Sequence, residues 1–463
     1  MSMEYDIAII GSGPGGYVAA IKAAQMGHKV VCIENDSIGG VCLNWGCIPT
    51  KALIKNADMW HNIQEAGRLG FNLEGADFDY QKIQKRSRKV SKRLSKGVKF
   101  LFKKNKIESI IGTARLLDQN TIKIEDNQDI DKITANNIIL ATGAHPRTIP
   151  GTKIDGENIL SSRSALEMKE LPESMIIIGA GAIGVEFGYI FNSFGVDVKI
   201  IEMMDQILPL EDKEIVRTLQ REFKKQKIKT FTSSKVEKIE EIDGRLRVAI
   251  EKNGDTEKLN AEKVLMAIGV EPNITGLGLE KLDIATEKGA IKVDINYQTS
   301  VENIYAIGDV IGAPYLAHVA SEEGIRAVEA ISGEDTGRID YKSIPTCTYC
   351  QPQVASVGLT EQQAKDKFDN IATGTFNFRG NGKSIATGEI TGLVKVIFDA
   401  NTDILIGGHI VGAEATELLP ELTLAVSNRL SYQNLISSIH AHPTMSEAIM
   451  EAILDSKNNA IHQ

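Results

Sequence analysis

Apolar and polar positions divide the chain into distinct elements. Residues 5–36 read YDIAIIGSGPGGYVAAIKAAQMGHKVVCIEND. A short apolar run, a glycine-rich turn, a helically spaced stretch, a second apolar run and a terminal acid follow one another there. Continuous apolar runs bounded by turns predict buried strands, and the stretch between them predicts the helix of a βαβ unit. Residues 173–204 read ESMIIIGAGAIGVEFGYIFNSFGVDVKIIEMM and repeat the whole order. One constant offset carries Gly11 to Gly179, Gly13 to Gly181, Gly16 to Gly184 and Glu34 to Glu202. Between the repeats, 81–106 reads as a helix and 107–140 as strands with turns, ending Asn-Ile-Ile-Leu-Ala-Thr-Gly. Residues 225–270 read as strands around an Asp-Gly turn at 243–244. From about residue 341 the pattern changes again. Strands (Leu393 to Phe398, Ile404 to Val411) alternate with amphipathic helices, as in a separate α+β domain. The fold class expected is α/β, with two Rossmann-like dinucleotide-binding domains and a C-terminal α+β domain.

Composition narrows the function classes. The chain has 463 residues, 42% hydrophobic and 24% charged, as an ordinary globular protein of several domains does. A net charge of −9 disfavours non-specific nucleic-acid binding. No apolar run approaches the ~18 residues of a membrane span. The start, Met-Ser-Met-Glu-Tyr-Asp, lacks the basic segment of a signal peptide, so a cytoplasmic protein is expected. Cys32, Cys42, Cys47, Cys347 and Cys350 are an odd set in a long chain, which is not a disulfide framework.

Each Gly-x-Gly-x-x-Gly follows a strand and opens a helix. The first glycine permits a tight turn, the second lets backbone approach a pyrophosphate, and the third lets helix and strand pack closely. The phosphates then meet free N–H groups at a helix N-terminus. Glu34 and Glu202 are placed to accept hydrogen bonds from a ribose hydroxyl. Met203 and Met204 follow Glu202, with no cation to hold a 2′-phosphate, so the second site is expected to prefer NAD over NADP. Two nicotinamides could not usefully exchange a hydride with a thiol pair, so the first site is expected to take FAD.

That thiol pair lies in GGVCLNWGCIPTK, residues 39–51. Five residues of regular helix would carry Cys42 and Cys47 beyond the roughly 7 Å Cα limit of a disulfide, so a break is expected, and Gly46 permits it. Pro49 fits a helix's first turn, which puts Cys47 near an N-terminus that stabilises a thiolate. Lys51 adds positive charge. Near the other end, 440–447 read His-Ala-His-Pro-Thr-Met-Ser-Glu. A helix is expected from Pro443 through Ser446 to Leu454, with His442 just outside it. Glu447 could then reach back to one imidazole nitrogen and raise the basicity of the other.

These segments resemble the class I pyridine nucleotide–disulfide oxidoreductases over essentially the whole chain. Within that family they are most similar to the enzymes that reoxidise dihydrolipoyl groups with NAD⁺. The resemblance implies that Cys42 and Cys47 form the redox-active disulfide, with His442 the acid/base and Glu447 its partner. It implies further FAD contacts at Thr142 and Gly143 of Ala-Thr-Gly-Ala, at Asp309 of Ala-Ile-Gly-Asp-Val on the ribityl chain, and at Ala317 of Leu-Ala-His beside the flavin. Glu186, with Lys51 as its neighbour, would lie beside nicotinamide and flavin, and Gly269 would complete the NAD site. No metal is implied. Residues 1–147 with 273–340 would form the FAD domain, 148–272 the NAD domain and 341–463 the interface domain. The resemblance also implies a homodimer with a shared active site, serving lipoyl domains of 2-oxoacid dehydrogenase or glycine cleavage complexes.

Other readings stay open at this point. Glutathione reductases need basic residues after the second-repeat strand, and mercuric reductases carry an extra C-terminal cysteine pair; neither feature occurs here. A non-catalytic assembly subunit that merely holds FAD is opposed by the intact cysteines, His442 and Glu447. His440 reads as a neighbour of the site, with a structural role an equal reading. Cys347-Thr-Tyr-Cys350 lies in a segment, 344–357, that reads as one strand, so its thiols would point to opposite faces as structural groups. The Lys- and Arg-rich helix 81–106 reads first as a solvated amphipathic helix, and otherwise as a docking surface for an acidic partner.

Overall fold

The computed structural model describes residues 3–335 and 337–463. Met1 and Ser2, part of the segment read for a leader, and Thr336 lie outside the described residues. The first repeat forms strand β1 (Met3–Ile10), helix α1 (Pro14–Gln25) and strand β2 (Val30–Glu34). Helices α2 (Gly40–Trp45), α3 (Cys47–Glu65) and α4 (Tyr80–Lys104) follow. Strands β3 (Glu108–Ile111), β4 (Thr113–Leu116), β5 (Thr121–Glu125) and β6 (Lys132–Leu140) complete this part. The sheet order is β3-β2-β1-β6-β5-β4, and the distant strand Ile304–Ala306 pairs in parallel with β6. Ile7, Ala8 and Ile9 of β1 are completely buried. Both faces of the strand are covered, which is why its apolar run is continuous rather than alternating.

The second repeat builds a separate parallel sheet from Ser174–Ile178, Asp197–Ile201, Lys229–Phe231, Lys263–Met266 and Ile159–Leu160. An antiparallel sheet of Lys235–Ile242, Arg245–Lys252 and Asp255–Ala261 is appended to it. The Asp243-Gly244 turn joins its first two strands with both residues at positive φ, 52° and 74°, as a tight two-residue hairpin requires. The chain crosses between the sheets of the first and second repeats along Ala144–Pro146 and Val270–Pro272, which pair antiparallel.

A third, antiparallel sheet runs in the order Thr346–Thr348, Gln353–Gly358, Ile404–Gly412, Gly392–Asp399 and Ile371–Asn377. Leu419 and Leu422 of helix Ala415–Ser427, and Ile449 and Ile453 of helix Glu447–Asp455, bury against it. The expectation of one strand over 344–357 is corrected: two strands meet in a hairpin, with Cys347 opposite Ala355. Pro352 cannot donate to a ladder, so the run turns there instead of continuing. One core joins all three units, since Leu53 and Ile54 of α3 pack with Phe187 and Tyr189 of the second repeat's helix Ala182–Ser193 and with Val354 and Leu393 of the third sheet. Among the described residues no helix is long and apolar enough to cross a membrane.

Candidate active site

The two glycine turns are superposable in their sterics. Gly11 and Gly179 have φ of 102° and 100°. A Cβ at either would run into the carbonyl oxygen of Ala141 or Ala267, the residue that follows the adjacent strand. A Cβ at Gly16 or Gly184 would strike the carbonyl oxygen of Gly11 or Gly179, so the helix could not close onto its strand. Gly13 and Gly181 differ: a Cβ there meets nothing within 4 Å. Open space at the middle glycine, at a helix N-terminus with no acid in its first turn, is what a pyrophosphate needs. The acids are fixed by their own loops. Glu34 accepts from the Ser12 amide at 2.9 Å and hydroxyl at 2.6 Å, and Glu202 accepts from the Ala180 amide at 2.7 Å. The turns therefore fit two dinucleotides.

Thr142, Gly143 and Gly269 follow the equivalent strands of the two sheets. Thr142 is tied to the returning chain, donating to the Asn273 carbonyl at 2.8 Å and accepting from its side-chain amide at 2.9 Å. Gly143 accepts from the Asn273 amide at 2.9 Å, and Gly269 from the Arg147 amide at 3.0 Å. Asp309 lies in the short turn Gly308–Ile311 after the strand that joins β6. Among the described residues its carboxylate has no hydrogen-bond or ionic partner, and burial pushes its carboxyl up to about 6. A half-buried acid without a partner fits a hydroxyl-bearing ligand chain. Ala317 opens helix Ala317–Ile331, and its neighbour His318 is bonded to the Pro345 carbonyl at 3.1 Å.

Between the two turns lie the cysteines. α2 ends at Gly46, whose φ of −141° and ψ of −114° break the helix, and α3 restarts at Cys47. This break brings the sulfurs of Cys42 and Cys47 into hydrogen-bond contact as thiols. The contact separates their acidities. Donation from Cys42 is the main reason the Cys47 thiol falls to about 7, against the opposition of burial and with help from Lys51 and the local backbone amide. Cys42, as the donor, is raised far above the usual thiol range by that bond and by burial. The arrangement assigns the thiolate to Cys47 and the proton to Cys42.

Lys51, one turn into α3, reaches Glu186 of helix Ala182–Ser193 at 2.8 and 2.9 Å. The pair spans the two glycine-turn units. Tyr349 completes it: its amide donates to Glu186 at 3.0 Å, and its ring lies 4.4 Å from the Lys51 ammonium. In the sequence Tyr349 stands out only as part of Cys347-Thr-Tyr-Cys350. Those two thiols part company. Cys350 is buried in the core shared by the three units, while Cys347 packs on the third sheet's core. Burial raises both.

His442 is bonded through Nδ1 to Glu447 at 2.9 Å and is largely exposed. The expectation of a helix from Pro443 is corrected, because the helix starts at Glu447. Thr444 donates to the Ala441 carbonyl and to Glu447, so the segment closes on itself before the helix begins. The Thr444 amide and then His442 hold the Glu447 carboxyl below its usual range. His440 is bonded to Glu421 at 2.8 Å, which raises it, and makes no bond to the His442–Glu447 pair. Among the described residues no hydrogen bond links His442 to either redox cysteine within the chain. Glu323, unmarked in the sequence reading, accepts from the Gly308 amide and from Tyr341 at 2.7 Å each, and so secures the turn that carries Asp309.

Residues 5–324 match the pyridine nucleotide-disulphide oxidoreductase family, and residues 344–453 match its dimerisation domain. A dihydrolipoyl dehydrogenase of Mycobacterium leprae is 45% identical over 455 residues, 97% of both chains. One from Bacillus subtilis is 42% identical over 473 residues, covering both chains completely. Among solved structures, LpdA from Mycobacterium tuberculosis matches with a TM-score of 0.90 at 28% identity, over 97% of this chain and 99% of that one. The HOCl-induced flavoprotein disulfide reductase RclA of Escherichia coli, as its Cu(II) complex, matches at 0.87 and 27%, over 98% and 99%.

Proposed function

The chain belongs to the pyridine nucleotide-disulphide oxidoreductase family, and from that premise we propose that it acts as a dihydrolipoyl (dihydrolipoamide) dehydrogenase, oxidising protein-bound dihydrolipoyl groups with NAD⁺. The observation that carries this reading is the Cys42–Cys47 couple between two dinucleotide turns, with Cys47 the more acidic sulfur. Residues 1–147 with 273–340 would hold FAD through Gly11, Gly13, Gly16, Glu34, Thr142, Gly143, Asp309 and Ala317. Residues 148–272 would hold NAD through Gly179, Gly181, Gly184, Glu202 and Gly269, and residues 341–463 would form the subunit interface. When bound, FAD and NAD⁺ supply two-electron redox chemistry, passing the dithiol's electrons on as a hydride.

The chain's own part begins with the oxidised Cys42–Cys47 pair. His442, oriented by Glu447, takes the proton of one substrate thiol, so that a thiolate attacks the Cys42 sulfur. The substrate–Cys42 bond forms, the Cys42–Cys47 bond breaks, and Cys47 leaves as thiolate. The Lys51 charge and the local backbone amide, which stay in place while Cys42 is in the mixed disulfide, lower the pKa of Cys47 into the range of a good leaving thiolate. The second substrate thiol then displaces Cys42, its proton ending on that sulfur, which gives the cyclic disulfide and the reduced pair with Cys47 as thiolate and the first proton still on His442. Lys51 keeps positive charge beside Cys47, and Glu186 keeps Lys51 in place. The bond network of His442 stays within its own segment, consistent with its serving the disulfide of the second subunit in a homodimer. The lipoyl domains of 2-oxoacid dehydrogenase or glycine cleavage complexes are the partners of this reading, and the cytoplasm, where thiols stay reduced, is its setting.

Steady-state turnover tests it. Dihydrolipoamide with NAD⁺ is expected to be the preferred pair, ahead of glutathione disulfide or mercuric ion with NADH or NADPH. Preference for either of the latter substrates would reject the assignment.

A further inference from the structure

Helix α4 has a composition that the chemistry above does not use. Over its 25 residues it carries eleven Lys and Arg and no acid, in a chain whose net charge is −9. Its inner face packs through Ser87, Ser91, Val98 and Phe102. Its outer face is a stripe of exposed lysines at alternating three- and four-residue steps, from Lys82 to Lys103. That spacing keeps the ammonium groups in one line about 30 Å long. Lys82 pairs with its N-cap Asp79 at 3.1 Å; among the described residues the lysines beyond it on the stripe have no ion pair. Like charges at such steps each weaken a helix by about 0.2–0.5 kcal/mol, and solvated helices usually relieve this with interleaved acids. Here the repulsion is left in place.

The position of this helix is as informative as its charge. Arg88 donates to the Asn44 carbonyl at 2.6 Å and stacks 4.3 Å from the Trp45 ring, on the segment between the two redox cysteines. Ser95 donates to the Ile38 carbonyl at 2.7 Å, and Arg86 to the Ala52 carbonyl at 3.3 Å. α4 is therefore bonded along the loop and helix that carry Cys42 and Cys47.

We propose that the lysine stripe of α4 is a docking surface for the protein domain that bears the dihydrolipoyl arm, and that this domain meets it with an acidic face. The inference rests on the functional reading above. An arm tethered to a domain held on α4 would search for the disulfide from a short distance, at high effective concentration. Complementary charge acts mainly on encounter, and its reach of about 8 Å at physiological salt demands close approach. Free dihydrolipoamide has no such face and gains nothing from the stripe.

The test uses the FAD-loaded dimer and a variant with Lys85→Glu, Lys89→Glu, Lys92→Glu and Lys96→Glu. Both are assayed with NAD⁺ on free dihydrolipoamide and on a dihydrolipoylated carrier domain of net negative charge, over a range of salt. The variant is expected to lose about tenfold or more in kcat/KM on the carrier domain, with a flattened salt dependence, and nothing on free dihydrolipoamide. A Lys→Gln variant at the same four positions is expected to lie between. Equal kcat/KM on the carrier domain in all three proteins, or equal losses on both substrates, would overturn the proposal. So would stripe-dependent binding to anionic vesicles or duplex DNA tighter than to the carrier domain. Failure of the functional reading is separate, since the unaltered enzyme would then not turn over free dihydrolipoamide.

Discussion

Replacing Lys51 with Met tests how the protein sets the acidity of its reactive sulfur. In the folded chain Cys47 is held at about 7 against a reference of 9.0, with the Cys42 hydrogen bond as the largest cause and the Lys51 charge contributing after burial is overcome. Lys51→Met removes that charge. Among the described residues it also leaves the buried Glu186 carboxylate with only the Tyr349 amide, and uncompensated negative charge near Cys47 raises a thiol further. Loss of a nearby opposite charge moves an acid by about one unit or more, or roughly 1.4 kcal/mol. At neutral pH the thiolate fraction of Cys47 would fall from about one half to about one tenth. Iodoacetamide alkylation of the reduced protein against pH reads this directly. It is done in a Cys42→Ser background, which keeps a hydroxyl donor to Cys47. Other thiols interfere little: Cys32 and Cys350 are buried, and burial raises Cys347 to about 11. The midpoint is expected to move to higher pH with Lys51→Met and to lower pH with Glu186→Gln, because Glu186 opposes the thiolate. Unchanged midpoints, or shifts of the opposite signs, would refute this account of the site's electrostatics.

Other expectations are as direct. Glu447→Gln removes the carboxylate that orients His442, and His442→Gln removes the base; kcat/KM for dihydrolipoamide is expected to drop about tenfold or more in the first and about 10²–10⁴-fold in the second, read from pH–rate profiles. Gly181→Val should fold normally, because its side chain enters open space, yet lose NADH binding by fluorescence titration. Gly184→Ala should lower the melting temperature, because its Cβ collides with the Gly179 carbonyl. Lys395, buried among Asp212 at 3.0 Å, Glu214 at 3.2 Å and Glu361 at 2.6 Å, clasps the second unit to the third. Lys395→Met leaves the buried Asp212 carboxylate without its cation and is expected to cost about 3–5 kcal/mol in urea unfolding.

How much of this could be read from the sequence follows from locality. The repeat exposed both glycine turns, because their function depends on backbone sterics within a few residues. The break at Gly46 was legible because a pair five residues apart cannot bond along a regular helix. His442 and Glu447 were legible as a local pair, although the helix start was misplaced by bonds from Thr444 that only the folded segment displays. Long-range partners were not legible. Tyr349 meets Glu186 across more than 160 residues, and its signal in the sequence was hidden by two more conspicuous cysteines. Glu323 was invisible as an ordinary helical acid until the turn at Gly308 was seen to hang on it. The hairpin at 344–357 is marked in the sequence by little more than Pro352, which cannot donate to a ladder.

Anaerobic mixing of the FAD-loaded enzyme with one equivalent of dihydrolipoamide, first alone and then with NAD⁺, probes the central claim most directly. The account predicts a long-wavelength thiolate-to-flavin absorbance on the first addition and stoichiometric NADH on the second, both lost in Cys47→Ser. NADH formation that survives Cys47→Ser, or a spectrum that dihydrolipoamide leaves untouched in the unaltered enzyme, would contradict it.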